Sequence, residues 1–135
     1  MKQIDTILLV KDINKSKDFY LTHFQLSILY DWKSMVIFTN RLALHQADLV
    51  YPQEKLKNHI KLEGLGSGNV IVYLETKDID SAYLEMKDKG IDIIHEIVTF
   101  PWNNDRIFRI KDLDGHIIEI GEDKERQDEY MENQV

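Results

Sequence analysis

The stretch "KDLDGHIIEIGE", Lys111–Glu122, sets one carboxylate, Glu119, inside an apolar run of Ile117, Ile118 and Ile120, just after an aspartate-rich turn. Successive side chains of a strand face opposite ways, so Ile118 and Ile120 pack on one side while Glu119 points to the other. Asp114-Gly115 supplies a positive-φ turn that folds this strand back on "DRIFRIKD", residues 105–112. If the far side is open water, Glu119 is the polar face of a half-buried strand. If that side is a concave site, an ionised carboxylate there needs a metal, a cationic partner or water to offset desolvation.

Outward from this hairpin the chain repeats itself. "IDTILLV" (4–10) reads as a strand, and Asp12 then caps a helix in which Ile13, Ser16, Phe19, Tyr20 and His23 or Phe24 recur at helical spacing. "LSILYDW", "MVIFTN" and "RLALHQ" read as three strands, with Asn40-Arg41 in the turn before the last. After a loose stretch from Ala47 to Gly68 the order recurs. "NVIVYLET" is a strand, "KDIDSAYLEMKDKG" a helix capped by Asp78 and stopped at Gly90, "IDIIHEIV" a strand, and then comes the hairpin. Lys11-Asp12-Ile13 and Lys77-Asp78-Ile79 mark the same point in each copy. Neither half can bury an apolar helix face alone, so we expect an α+β fold of two βαβββ modules. The predicted organisation is one domain over 1–122, with module one at 4–46, a linker at 47–68 carrying one short helix, and module two at 69–121. An acidic tail, 123–135, follows as a solvated helix or frayed end.

Composition narrows the function. The chain has 135 residues and no cysteine, which removes disulfides, thiolate metal sites and a cysteine nucleophile. A net charge of −7 argues against nucleic-acid binding, which needs basic surface. No apolar run approaches a membrane span and no signal-like segment opens the chain, so a cytoplasmic location is expected. "GLGSG" (64–68) lacks the Lys-Ser or Lys-Thr of a phosphate loop. Neither a Gly-x-Ser-x-Gly elbow nor a His-Glu-x-x-His helix is present.

The duplicated unit, with "VKDINKSKDFY" opening one half and "PWNNDRIFRIKDLDGHIIEIGE" closing the other, resembles the vicinal oxygen chelate superfamily. That superfamily includes glyoxalase I, bleomycin- and fosfomycin-resistance proteins and extradiol dioxygenases, and the closing phrase resembles its small glyoxalase-like bacterial proteins. The resemblance covers residues 4–122. It implies that the modules curl into a cup, that cups are often completed across a homodimer, and that four side chains hold a divalent metal at the base. Such a metal acts as a Lewis acid on a substrate with vicinal oxygens.

Carried onto this sequence, the four ligand positions fall on Asp5, Ala43, Ile71 and Glu119. Ala43 and Ile71 offer no donor atom, Asp5 replaces the usual histidine, and only Glu119 matches. The four-ligand site is therefore absent. His45 lies two residues beyond Ala43 and shares its face, so Asp5, His45 and Glu119 are the candidates for a shifted three-ligand site suited to Zn, Mn, Fe or Ni. Trp102 and Arg106 flank the turn into the hairpin and could hold an aromatic or anionic ligand at the rim; equally, the tryptophan could cover a sheet edge and the arginine be solvated. His23, His59, His95 and His116 lack paired spacing with another candidate ligand and read as structural or solvated.

The expected function is small-molecule binding in the cup, of the glyoxalase/bleomycin-resistance type, with His45, Glu119, Trp102 and Arg106 as ligand-binding residues. One alternative is a divalent-metal-dependent lyase, isomerase or dioxygenase. The other is a non-catalytic interaction module, which would show a filled cup and a large exposed apolar patch.

Overall fold

The computed structural model describes residues 1–124. The tail reading falls outside the described residues from position 125 onward. The elements run β1 (Thr6–Val10), α1 (Ile13–Phe24), β2 (Ile28–Asp31), β3 (Met35–Phe38) and β4 (Leu42–Gln46), then, after a linker, β5 (Ile71–Thr76), α3 (Ile79–Asp88), β6 (Asp92–Thr99), β7 (Arg106–Lys111) and β8 (Ile117–Glu122). The linker carries a 3-10 turn (Ala47–Leu49) and one short helix, α2 (Gln53–Leu56). One sheet has the order β1-β4-β3-β2 and the other β5-β8-β7-β6, so the second copy repeats the strand order of the first. This is the α+β fold of two βαβββ modules. No helix among the described residues is long and apolar enough to cross a membrane.

Two compact units divide the chain. The first holds Met1–Ile71 together with Lys111–Ile117, and the second holds Val72–Ile110 and, of the described residues, 118–124. In the first unit β1 pairs parallel to β4, with Leu8 beside Leu44 and Leu9 beside His45. β3 pairs antiparallel to β4, with Val36 beside Leu44 and Ile37 beside Ala43. Paired residues share a sheet face. Leu8, Val10, Val36, Phe38 and Leu44 therefore form one face, which is buried. Tyr20 of α1 stacks on Phe38 at 6.0 Å, so this is the face that α1 covers. Ile7, Leu9, Met35, Ile37, Ala43 and His45 form the opposite face.

The helices α1 and α3 start as the sequence predicts. The Asp12 carboxylate accepts from the Asn14 and Lys15 amides, and that of Asp78 from the Ser81 amide, satisfying donors that a helix start leaves free. The Ser81 bonds hold the Asp78 carboxyl below the usual carboxylate range.

The Asp-Leu-Asp-Gly turn does more than reverse the chain. Asp112, nearly buried, accepts from the Asp114 and His116 amides through Oδ1, and from the Tyr20 hydroxyl at 2.6 Å through Oδ2. Asp114 accepts from the Lys11 amide at 2.9 Å and the Ser16 hydroxyl at 3.4 Å. These bonds fasten the hairpin tip to the start of α1, which is why residues 111–117 belong to the first unit. Gly115 takes φ +86°, as the turn requires, and Gly66 lies so close that a Cβ there would stand 2.1 Å from the Gly115 carbonyl carbon. The glycine loop read in the sequence thus serves a close backbone approach.

Candidate functional site

Glu119 is not a water-facing strand residue. Its side chain is 14% exposed and pairs with Arg109, whose Nε and Nη2 both lie 2.9 Å from Oε1. The hairpin register explains the pairing. The Asp112 amide donates to the His116 carbonyl, and three residues outward on each strand Arg109 stands opposite Glu119. Six residues outward Arg106 stands opposite Glu122, and those two are also paired, at 3.1 Å.

These two pairs lie on opposite faces of the second sheet. Phe108 meets Tyr83 of α3 edge-on at 5.3 Å, so Arg106, Phe108 and Ile110 face that helix. Arg106 accordingly bonds Asp80 of α3 at 2.6 and 3.1 Å, and this holds the Asp80 carboxyl below its usual range. Arg109 and Glu119 take the face away from α3. Arg106, one of the predicted ligand residues, is thus engaged on the helix side and is not brought together with Glu119.

On the Glu119 face the guanidinium organises a small network. Arg109 Nη1 lies 3.1 Å from His95 Nε2, and its carbon sits 5.7 Å above the Phe100 ring. A guanidinium only donates, so His95 Nε2 is the acceptor. The imidazole is then neutral with its proton on Nδ1, which donates to the Glu96 carbonyl at 2.7 Å. Phe100 stacks on Trp102, with ring centroids 4.4 Å apart and planes at 22°. Trp102 is 72% exposed, so its outer face is open to a ligand. Arg109 and Phe100 have no role in the sequence expectation, which takes His95 as structural or solvated. Counting the hairpin register from the Asp-Leu-Asp-Gly turn would have found Arg109. His95 needs the β7–β6 neighbour relation, which no local pattern gives.

The remaining candidates lie in the first unit. Asp5 precedes β1, and its Oδ1 is 2.7 Å from Arg41 Nε. Both atoms are buried, and the contact is charge proximity without hydrogen-bond alignment. His45 is half-buried beside Leu9 and Met35, with Nδ1 3.1 Å from the Gln46 carbonyl. Ala43 is fully buried, and Ile71 is half-exposed without a donor.

This donor set does not fit the divalent metal of the resembled superfamily. Two of four positions have no ligand atom, and the two carboxylates are each neutralised by a guanidinium, which a cation would have to displace. Among the described residues no three His, Asp or Glu side chains gather to hold an ion.

A glyoxalase-like domain family matches residues 3–125. A protein of unknown function from Agrobacterium tumefaciens str. C58 is 34% identical at a TM-score of 0.80, over 92% of this chain and 95% of the other. A glyoxalase/bleomycin resistance protein/dioxygenase from Nocardioides is 25% identical at a TM-score of 0.70, over 90% and 83%. A lactoylglutathione lyase from Agrobacterium tumefaciens, 20% identical at a TM-score of 0.68 over 90% and 92%, shares the fold. Comparison with curated proteins returned no match. With a family match across nearly all of its length and both βαβββ modules in place, the chain belongs to the glyoxalase-like domain family.

Proposed function

We propose that the protein binds a small planar molecule on the Glu119 face of its second sheet, without the metal chemistry of the superfamily's four-ligand site. The observation that carries this reading is the Arg109–Glu119 pair. A guanidinium with its Nε and Nη2 on Glu119 Oε1 occupies the place where a metal would need a free carboxylate. Glu119 Oε2 takes no share in that contact and is left to accept from a ligand N–H or O–H. The Trp102 ring, already stacked on Phe100, offers a flat surface to an aromatic group. His45 lines the corresponding face of the first sheet. Arg109 takes the role the sequence reading gave to Arg106.

Benzamidine and benzoate test the reading, because they share a ring and differ in whether they donate to or repel a carboxylate. The indole N–H signal of 15N-labelled protein is followed in a Trp32→Phe background, which leaves Trp102 as the one tryptophan. Benzamidine is expected to shift that signal saturably, and Glu119→Gln to weaken it by about threefold to tenfold, the worth of a charge-assisted hydrogen bond with solvent access. An indole signal that neither probe moves, or affinities that Glu119→Gln leaves unchanged, would overturn it.

A further inference from the structure

We propose a second ligand site in the first unit: a cleft beside β1 that takes a small amphiphilic carboxylate. The cleft has a volume of about 420 Å³, within the range of small-molecule sites, and lies between β1 and the loop of residues 59–70. Its lining shares no residue with the Glu119–Arg109 network.

Two attachments create it. β1 is an edge strand, since the sheet order is β1-β4-β3-β2. At one end His116 Nε2 bonds the Leu9 carbonyl at 2.8 Å. The Gly66 amide donates to the Asp114 carbonyl at 3.1 Å, and the missing Cβ of Gly66 lets the loop press onto the Gly115 backbone. The loop is thus tied to the hairpin tip and stands off β1 along the rest of its length. Any side chain at position 66 would push it away.

The lining specifies the ligand. Ile7, Leu9, Ile60, Leu65 and Val70 supply apolar walls, which suit a hydrocarbon body. Not one lining residue is acidic, although the chain carries a net charge of −7. The charged or chargeable groups are Lys61, His59 and His116. Among the described residues neither the Lys61 ammonium nor the His59 ring has a side-chain partner, so both are available to an anion at the mouth. An unpaired cation over apolar walls matches a carboxylate with an aliphatic or aryl tail. A phosphoryl group fits less well, because only one lysine is present and no Lys-Ser or Lys-Thr follows the glycines.

The test titrates the 15N-labelled full chain with octanoate, 1-octanol and octylamine at one ionic strength. Octanoate should saturate shifts concentrated at residues 6–9, 59–70 and 116, with octanol weaker and octylamine weakest. Lys61→Ala should weaken octanoate by about threefold to fivefold, the range for an exposed charge pair, and leave octanol unchanged. Lys55→Ala, the same charge change outside the cleft, should have no such effect, and Glu119→Gln should leave octanoate binding intact. The proposal fails if octanol binds as tightly as octanoate, if the shifts cluster elsewhere, or if the two lysine variants behave alike. It also fails if octanoate shows no saturation up to about 10 mM, where binding free energy falls below ~3 kcal/mol.

Discussion

Glu119 and Arg109 stabilise one another only as a pair. Removing the guanidinium leaves a carboxylate that is 14% exposed without its partner, whereas removing both charges leaves an amide and a thioether of similar size. Arg109→Met should therefore cost about 1–3 kcal/mol, below the figure for a fully buried pair because solvent still reaches Arg109. Adding Glu119→Gln should recover at least half of that loss. Chemical denaturation of the four proteins checks this, and a double variant as unstable as the sum of the singles would remove the pairing from the account. Gly66→Ala carries its penalty in backbone contact, since its Cβ would stand 2.1 Å from Gly115 carbon and 2.3 Å from His116 nitrogen. We expect a loss of about 1–3 kcal/mol by the same assay, as for other forced overpacking. Neither effect shows in local sequence. Glu119 stands out by being charged among isoleucines, but its partner lies on another strand, and a glycine-rich loop looks the same whether it hugs a phosphate or a neighbouring turn.

The elements themselves were far more legible. Strand alternation, two aspartate caps and the repeated Lys-Asp-Ile landmark locate α1, α3 and the eight strands of the described residues, because these signals act within a few residues. The linker's fold was less so, since its 3-10 turn and short helix rest on contacts and not on periodicity. What ties the elements together is the Tyr20–Asp112 bond between α1 and the hairpin tip. Burial and the Asp112 carboxylate push the Tyr20 hydroxyl far above its ordinary value, so it stays protonated in the folded chain. The unfolded chain releases that proton near pH 10, so this contribution is complete below pH ~10 and is lost as pH rises beyond it. Tyr20→Phe should destabilise the protein by about 1–3 kcal/mol at neutral pH, because Asp112 Oδ2 loses its donor in a buried place. The variant should also show a shallower fall in stability above pH 10. Equal alkaline slopes in the two proteins would mean that Tyr20 does not carry the effect.

The molecule as a whole has the glyoxalase-like fold, and we propose that it works without the four-ligand metal site that the resemblance implies. The resemblance puts two of the four ligand positions on Ala43 and Ile71, and neither side chain can donate an electron pair. It does not show what stands beside the remaining carboxylate, which is Arg109, a fixed cation from the neighbouring strand. Calorimetric titration of chelator-treated protein with Zn²⁺ bears on this most directly. The account predicts no stoichiometric site tighter than about 10 µM, the weak regime left to surface histidines, and the same isotherm for Glu119→Gln. A one-to-one site of sub-micromolar affinity that Glu119→Gln abolishes would contradict it, and Glu119 would then be a metal ligand after all.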